Sequence, residues 1–130
     1  MENKRTRIYC RVAYPDSYAL AVQQTRLEAY AEKQGFEIVG TTAEQASGRD
    51  FSRRGLNEVS AAVTAGEVDL LLVESLSRLG RNLEKVDAYL CWLEDRFVDV
   101  VCADGTIPQT TTERVLDLLK RSGVHLNTTR

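Results

Sequence analysis

Between Gly66 and Glu74 the chain reads Val68-Asp69-Leu70-Leu71-Leu72-Val73, with an apolar side chain at every position but one. A run this short is no ordinary helix, and apolarity at successive rather than alternate positions is what a strand covered on both faces requires. Such strands belong to parallel sheets, whose crossover connections are usually helices. The flanking sequence should therefore alternate between strand and helix, and it does. Residues 7–12 and 36–39 have strand patterns, and 18–34 carries Leu20, Leu27, Tyr30 and Ala31 on one helical stripe ended by Gly35. A second helix is expected over 56–65, closed by Gly66, before the apolar strand 68–73. A third helix over 83–96 shows Leu83, Val86, Leu90 and Leu93 at helical spacing; a fourth strand follows over 97–102, then a short last helix over 112–122 with Val115, Leu116, Leu118 and Leu119. The order βαβαβαβα predicts an α/β fold: an open, mostly parallel four-stranded sheet with helices on both faces, in three Rossmann-like layers with right-handed crossovers. In such sheets a ligand sits beyond the carboxyl ends of the strands, where segments 13–17, 42–54 and 74–81 would converge.

A chain of 130 residues suits one domain, expected over 1–123 with a short tail at 124–130. No apolar run approaches the roughly 20 residues that span a bilayer, and the charged N-terminus has no apolar segment after it, so a soluble cytoplasmic protein is expected. Three cysteines, Cys10, Cys91 and Cys102, without C-x-x-C spacing read as reduced thiols. The single histidine, His125, has no partner at metal-ligand spacing. Neither G-x-G-x-x-G nor G-x-x-x-x-G-K-[ST] occurs, which argues against a nucleotide-binding domain. A phosphoreceiver domain would need an acidic cluster after strand one and an Asp ending strand three, and the chain has neither. The segment 41–54, TTAEQASGRDFSRR, is long for a strand-to-helix connection and reads as a functional or solvated loop.

The net charge of −2 does not advertise a nucleic-acid partner, but the arginines cluster: Arg5, Arg7 and Arg11; Arg49, Arg53 and Arg54; Arg78 and Arg81. The segment 75–82, SLSRLGRN, follows the buried strand directly. Placed in the first turn of a helix, Arg78 and Arg81 project from one face near the positive end of the helix dipole. Two guanidinium groups offer planar, permanently charged donors to phosphate oxygens. The plainer reading is a solvated helix start whose arginines bond to acids such as Glu74 or Glu84.

The wider constellation resembles a known family. The strand IYCRV is followed by a helix with a Gln at the end of its first turn, then by ASG, then by Arg53-Arg54-Gly55-Leu56, then by LSRLGRN after the third strand. Together, over about residues 7 to 105, these look like the catalytic domain of the serine recombinases, the resolvases and invertases. The resemblance implies site-specific DNA recombination by a bacterial or phage type of enzyme. A serine hydroxyl attacks a DNA phosphodiester, leaving a 5′-phosphoserine link and a free 3′-hydroxyl, and arginines rather than a metal or cofactor supply positive charge. Carried over residue by residue, Arg11, Arg53, Arg78 and Arg81 would contact the DNA phosphate, and the nucleophile position falls on Ala13.

Alanine has no hydroxyl, and the acid that usually precedes the first arginine of LxRLGRN is Ser77 here; the acid before ASG is kept in kind as Glu44. The set Arg11, Ala13, Arg53, Arg78 and Arg81 thus implies a phosphate pocket without its nucleophile. Ser17 and Tyr14 are the nearby hydroxyls. Ser17 reads more simply as a helix N-cap, a role open to Asp16 as well, and the Tyr14 phenol would need activation. The expected partners are DNA, bound weakly because no helix-turn-helix fits after Gly123, and a second copy or an intact recombinase in a homodimer or mixed dimer. The alternative is a non-enzymatic regulatory protein that uses the same dimer surface.

Overall fold

A computed structural model of the chain describes residues 3–109, 116, 119–121 and 123. Its elements run β1 (Arg5–Val12), α1 (Ser17–Gln34), β2 (Glu37–Gln45), α2 (Arg54–Thr64), β3 (Leu70–Val73), a 3-10 turn (Leu76–Arg78), α3 (Leu83–Glu94) and β4 (Asp99–Cys102). The sheet has four strands in the order β2-β1-β3-β4, and every neighbouring pair is parallel. Side-chain parity along the central strands builds the layers. Ile8, Cys10, Leu70 and Leu72 pack against α1 through Leu27 and Ala31. Tyr9, Leu71 and Val73 face the other way, onto Leu56, Val59 and Val63 of α2 and Val86, Leu90 and Leu93 of α3. The α/β sheet with helices on both faces is therefore the architecture the alternation predicts.

Several boundaries differ, each for a local reason. β2 extends six residues beyond the expected strand, so the long loop shrinks to 46–53. β1 pairs with it throughout, Arg11 lying opposite Glu44, past a register shift between Thr6 and Arg7. The extension has no apolar signature because Thr42 and Glu44 bond there with Arg7 and Tyr9. α1 is capped by Asp16, whose Oδ1 accepts from the Ala19 N–H at 2.9 Å; Ser17 is the first helical residue and not the cap. The left-handed Gly35 (φ 75°) ends that helix. Val68 and Asp69 precede β3 rather than belonging to it, and Asp69 instead forks onto Arg5. Phe97 takes a left-handed turn (φ 60°) after α3, so β4 begins only at Asp99. Of the last expected helix, 112–122, only Leu116 and 119–121 fall among the described residues, and His125 lies outside them. No helix among the described residues is long and apolar enough to cross a membrane.

Candidate functional site

At the carboxyl edge of the sheet, β1 delivers Arg11 between two loops, 46–53 and 74–82. Arg11 is 3% exposed, and its guanidinium donates to three backbone carbonyls: Arg78 at 2.8 Å, Ala46 at 2.9 Å and Ser77. Arg78 returns the contact, donating from Nη1 to the Arg11 carbonyl at 2.9 Å and from Nη2 to the Glu74 carboxylate at 2.8 Å. Gln23, in the second turn of α1, places its side-chain amide against the Arg11 backbone, accepting from the N–H and donating to the carbonyl. It completes the ladder of β1 where β3 has not reached.

Arg53 is 4% exposed and draws the loops together from the other side. It donates to the Asp50 and Leu79 carbonyls and to the Tyr9 hydroxyl, and lies over the Tyr9 and Phe51 rings. Its charge is balanced by Glu44, which stands 3.6 Å away and accepts from the Tyr9 hydroxyl and the Gly55 N–H. Phe51 packs on Gly80 so closely that a Cβ there would overlap the ring, and the Arg81 N–H donates to the Gly48 carbonyl at 3.0 Å. A residue larger than glycine at 80 would have to displace the Phe51 ring and would crowd the Gly48 carbonyl.

Four guanidinium groups face two carboxylates here, and the electrostatics register the excess. Burial lowers the pKa of Arg11, and the neighbouring charges of Arg53, Arg78 and Arg81 lower it further. Burial, followed by its hydrogen bond to Glu44, raises the Tyr9 phenol well above its ordinary range. Arg81 is the exposed member, making no side-chain hydrogen bond or ion pair among the described residues and bordering a cavity with Leu76, Gly80 and Leu83. Arg78 and Arg81 do not share a helical face, as their spacing suggests, because α3 starts only at Leu83, capped by the Asn82 side chain. Arg78 turns inward onto Glu74, the pairing that the plainer reading of the motif expects. Arg81 faces outward.

Ala13 follows β1 at the same edge, and its carbonyl accepts from the Gln45 side chain at 3.2 Å. Ser77 is exposed, and its hydroxyl shares a hydrogen bond with that of Ser75. Tyr14 is 78% exposed on the following loop. The consumption of Arg11 and Arg53 by backbone carbonyls has no sequence signature, because the carbonyls that accept are anonymous in the sequence. Gln23 was visible as a residue type, but its partner, the Arg11 backbone, is set only by how α1 packs on β1.

A sequence model described as the resolvase N-terminal domain matches residues 6–126. Among solved structures, the C-terminal catalytic domain of ISC1926 TnpA, an IS607-like serine recombinase, is 27% identical, with a TM-score of 0.72 over 90% of this chain and 79% of that one. A resolvase family site-specific recombinase from Streptococcus pneumoniae is 26% identical, with a TM-score of 0.74 over 93% of this chain and 86% of that one. The N-terminal catalytic domain of TP901-1 integrase, 23% identical, shares the fold with a TM-score of 0.74 over 92% of this chain and 94% of that one.

Proposed function

This chain belongs to the resolvase family of site-specific recombinases, in its N-terminal catalytic domain, and we propose that its arginine rim grips a DNA phosphodiester without cleaving it. The carrying observation is a division of labour among the arginines. Arg11 and Arg53 are consumed in fixing the two loops, whereas Arg81 and the exposed part of Arg78 remain to meet an anion. Prepositioned guanidinium groups held by a rigid second layer are suited to the charge that develops on a phosphoryl group under attack. In the family reaction a serine oxygen bonds to phosphorus, the bond to O3′ breaks, and the departing oxygen takes up a proton. With a methyl group at Ala13 the first of these steps has no nucleophile, and with Ser77 in place of an acid a group that would orient the arginines or handle the proton is missing.

The test is covalent capture of a suicide DNA substrate at low salt, read on a denaturing gel, since phosphate contacts weaken steeply as salt rises. The unmodified protein should give no adduct, Ala13→Ser a faint one and Ala13→Ser with Ser77→Asp more, while Arg81→Ala should abolish capture by the double variant. Adduct from the unmodified protein refutes the inactive reading and points to Ser17 or Tyr14. A second reading, a regulatory partner of an intact recombinase, draws support from Leu83, 80% exposed beside the groove formed by Leu76, Val86 and Leu90. Sedimentation and a pull-down with a full-length recombinase test it, and loss of the association in Leu83→Asp is the expected result.

A further inference from the structure

On the α1 side of Arg78 lies a cavity of about 280 Å³ that shares with the phosphate site Arg78 and two residues that position the arginines, Glu74 and Gln23. Val12, Ala19 and Val22 give it apolar lining, Tyr18 borders it, and Arg26, Glu74 and Arg78 carry the charge. Tyr18 is 80% exposed, and its hydroxyl makes no hydrogen bond among the described residues, so a largely exposed aromatic ring borders the cavity. Glu74 commits Oε1 to Arg78 at 2.8 Å, but Oε2 has only a long contact of 3.9 Å with Arg26. One carboxylate oxygen is therefore available to accept an N–H. The Gln23 amide, the other polar group at the wall, is already spent on the Arg11 backbone.

An aromatic face, a free carboxylate oxygen and two guanidinium groups next to a phosphate site are the elements that recognise a nucleobase: stacking is tolerant of base identity, and a carboxylate accepts from an exocyclic amino group. We propose that this cavity holds one unstacked base of the DNA strand, stacked on Tyr18 beside the phosphate at Arg78, with Glu74 favouring a base that carries an amino group over thymine. The inference rests on the phosphate reading above. The occupant is a strand rather than a free nucleotide because Arg78 borders both the cavity and the phosphate rim, so a base and its own backbone are held together.

Fluorescence anisotropy of short labelled single strands at low salt tests it, with deoxycytidine and deoxythymidine homopolymers compared on the same protein. The unmodified protein should bind the cytosine strand roughly 3- to 10-fold more tightly, as one added hydrogen bond of ordinary net strength at a solvent-accessible site allows. Tyr18→Ala should weaken both strands by roughly 5- to 150-fold, the range of a lost base-aromatic stack. Glu74→Gln should abolish or invert the cytosine preference, because the amide also donates, and the ratio of the two affinities is insensitive to a general loss of binding. Arg81→Ala should weaken both strands alike. Equal affinities in the unmodified protein with Tyr18→Ala silent, while Arg81→Ala still weakens binding, overturn the base site and leave the phosphate site standing; binding of neither strand removes both. Displacement of the strand by free deoxycytidine monophosphate at matching concentration overturns the assignment to a strand.

Discussion

Replacing Gly55 by alanine should destabilise the protein, although helix propensity alone predicts the reverse. Gly55 is the second residue of α2, in its first turn, where the preference for alanine over glycine is at most about 1 kcal/mol, its value in a helix interior. A Cβ at this position would overlap the Glu44 carboxylate, with Oε2 at 2.5 Å. Glu44 cannot swing away freely, because Oε1 accepts from the Gly55 N–H at 2.8 Å and Oε2 from the Tyr9 hydroxyl at 2.6 Å. Displacing it loses two hydrogen bonds to a charged acceptor, roughly 1.5–3 kcal/mol each. Set against the propensity gain, the net cost is about 2–5 kcal/mol. Urea unfolding of the unmodified protein, Gly55→Ala, Glu44→Ala and the double variant measures it as a cycle. In the Glu44→Ala background, already destabilised because Arg53 loses its counter-charge, Gly55→Ala should be neutral or stabilising by up to ~1 kcal/mol. A stabilising Gly55→Ala in the otherwise unmodified protein would show that the carboxylate finds an equally good place elsewhere, and the Tyr9-Glu44-Arg53 account would be wrong.

Leu71, fully buried between β1 and the α2 and α3 side of the core, should cost roughly 2–5 kcal/mol when truncated to alanine; a loss below 1 kcal/mol in the same urea assay would contradict its place in the sheet. The side-chain hydrogen bonds from Arg5, then its backbone N–H, hold Asp69 down to about 2, below the usual 3.8, so this carboxylate stabilises the fold above about pH 4 and the contribution is lost as pH falls toward 2. Asp69→Asn should flatten the pH dependence of stability across that window, and an unchanged slope would remove the fork from the account. Burial pushes the Cys10 thiol up to about 12 and Cys102 up to about 11, whereas Cys91 is only half-buried. Ellman's reagent at pH 8 should therefore label Cys91 first and the other two only on unfolding; rapid labelling of all three would place Cys10 outside the α1 side of the core.

The layers were legible because burial writes itself into parity: the run Leu70-Leu71-Leu72-Val73 sends alternate residues to opposite helices, and Ile8, Tyr9 and Cys10 repeat the division one strand over. The same rule fails where a strand faces polar groups. The second half of β2 points Thr42 and Glu44 into a hydrogen-bonded layer with Arg7, Tyr9, Arg53 and Glu58, so it lacks the apolar beat and reads as a loop. Phe97 misleads in the opposite direction. Its aromatic ring extends the β-like pattern of 97–102, yet it occupies the left-handed position usually given to glycine and is 91% exposed.

At the candidate site, the motif made the arginines conspicuous but could not apportion them. Guanidinium groups repel one another unless something lies between them, and here much of that something is main chain: the carbonyls of Ala46, Ser77, Arg78 and Leu79 accept from Arg11 and Arg53. This arrangement makes the buried arginines determinants of loop position, and it leaves Arg81 to face solvent without a partner among the described residues. A change at Arg11 should therefore loosen both loops at once, whereas a change at Arg81 should leave the fold intact and alter only what the rim can bind. The distinction follows from exposure and partner identity and not from residue type, which is why four identical side chains in one motif set can serve two different ends.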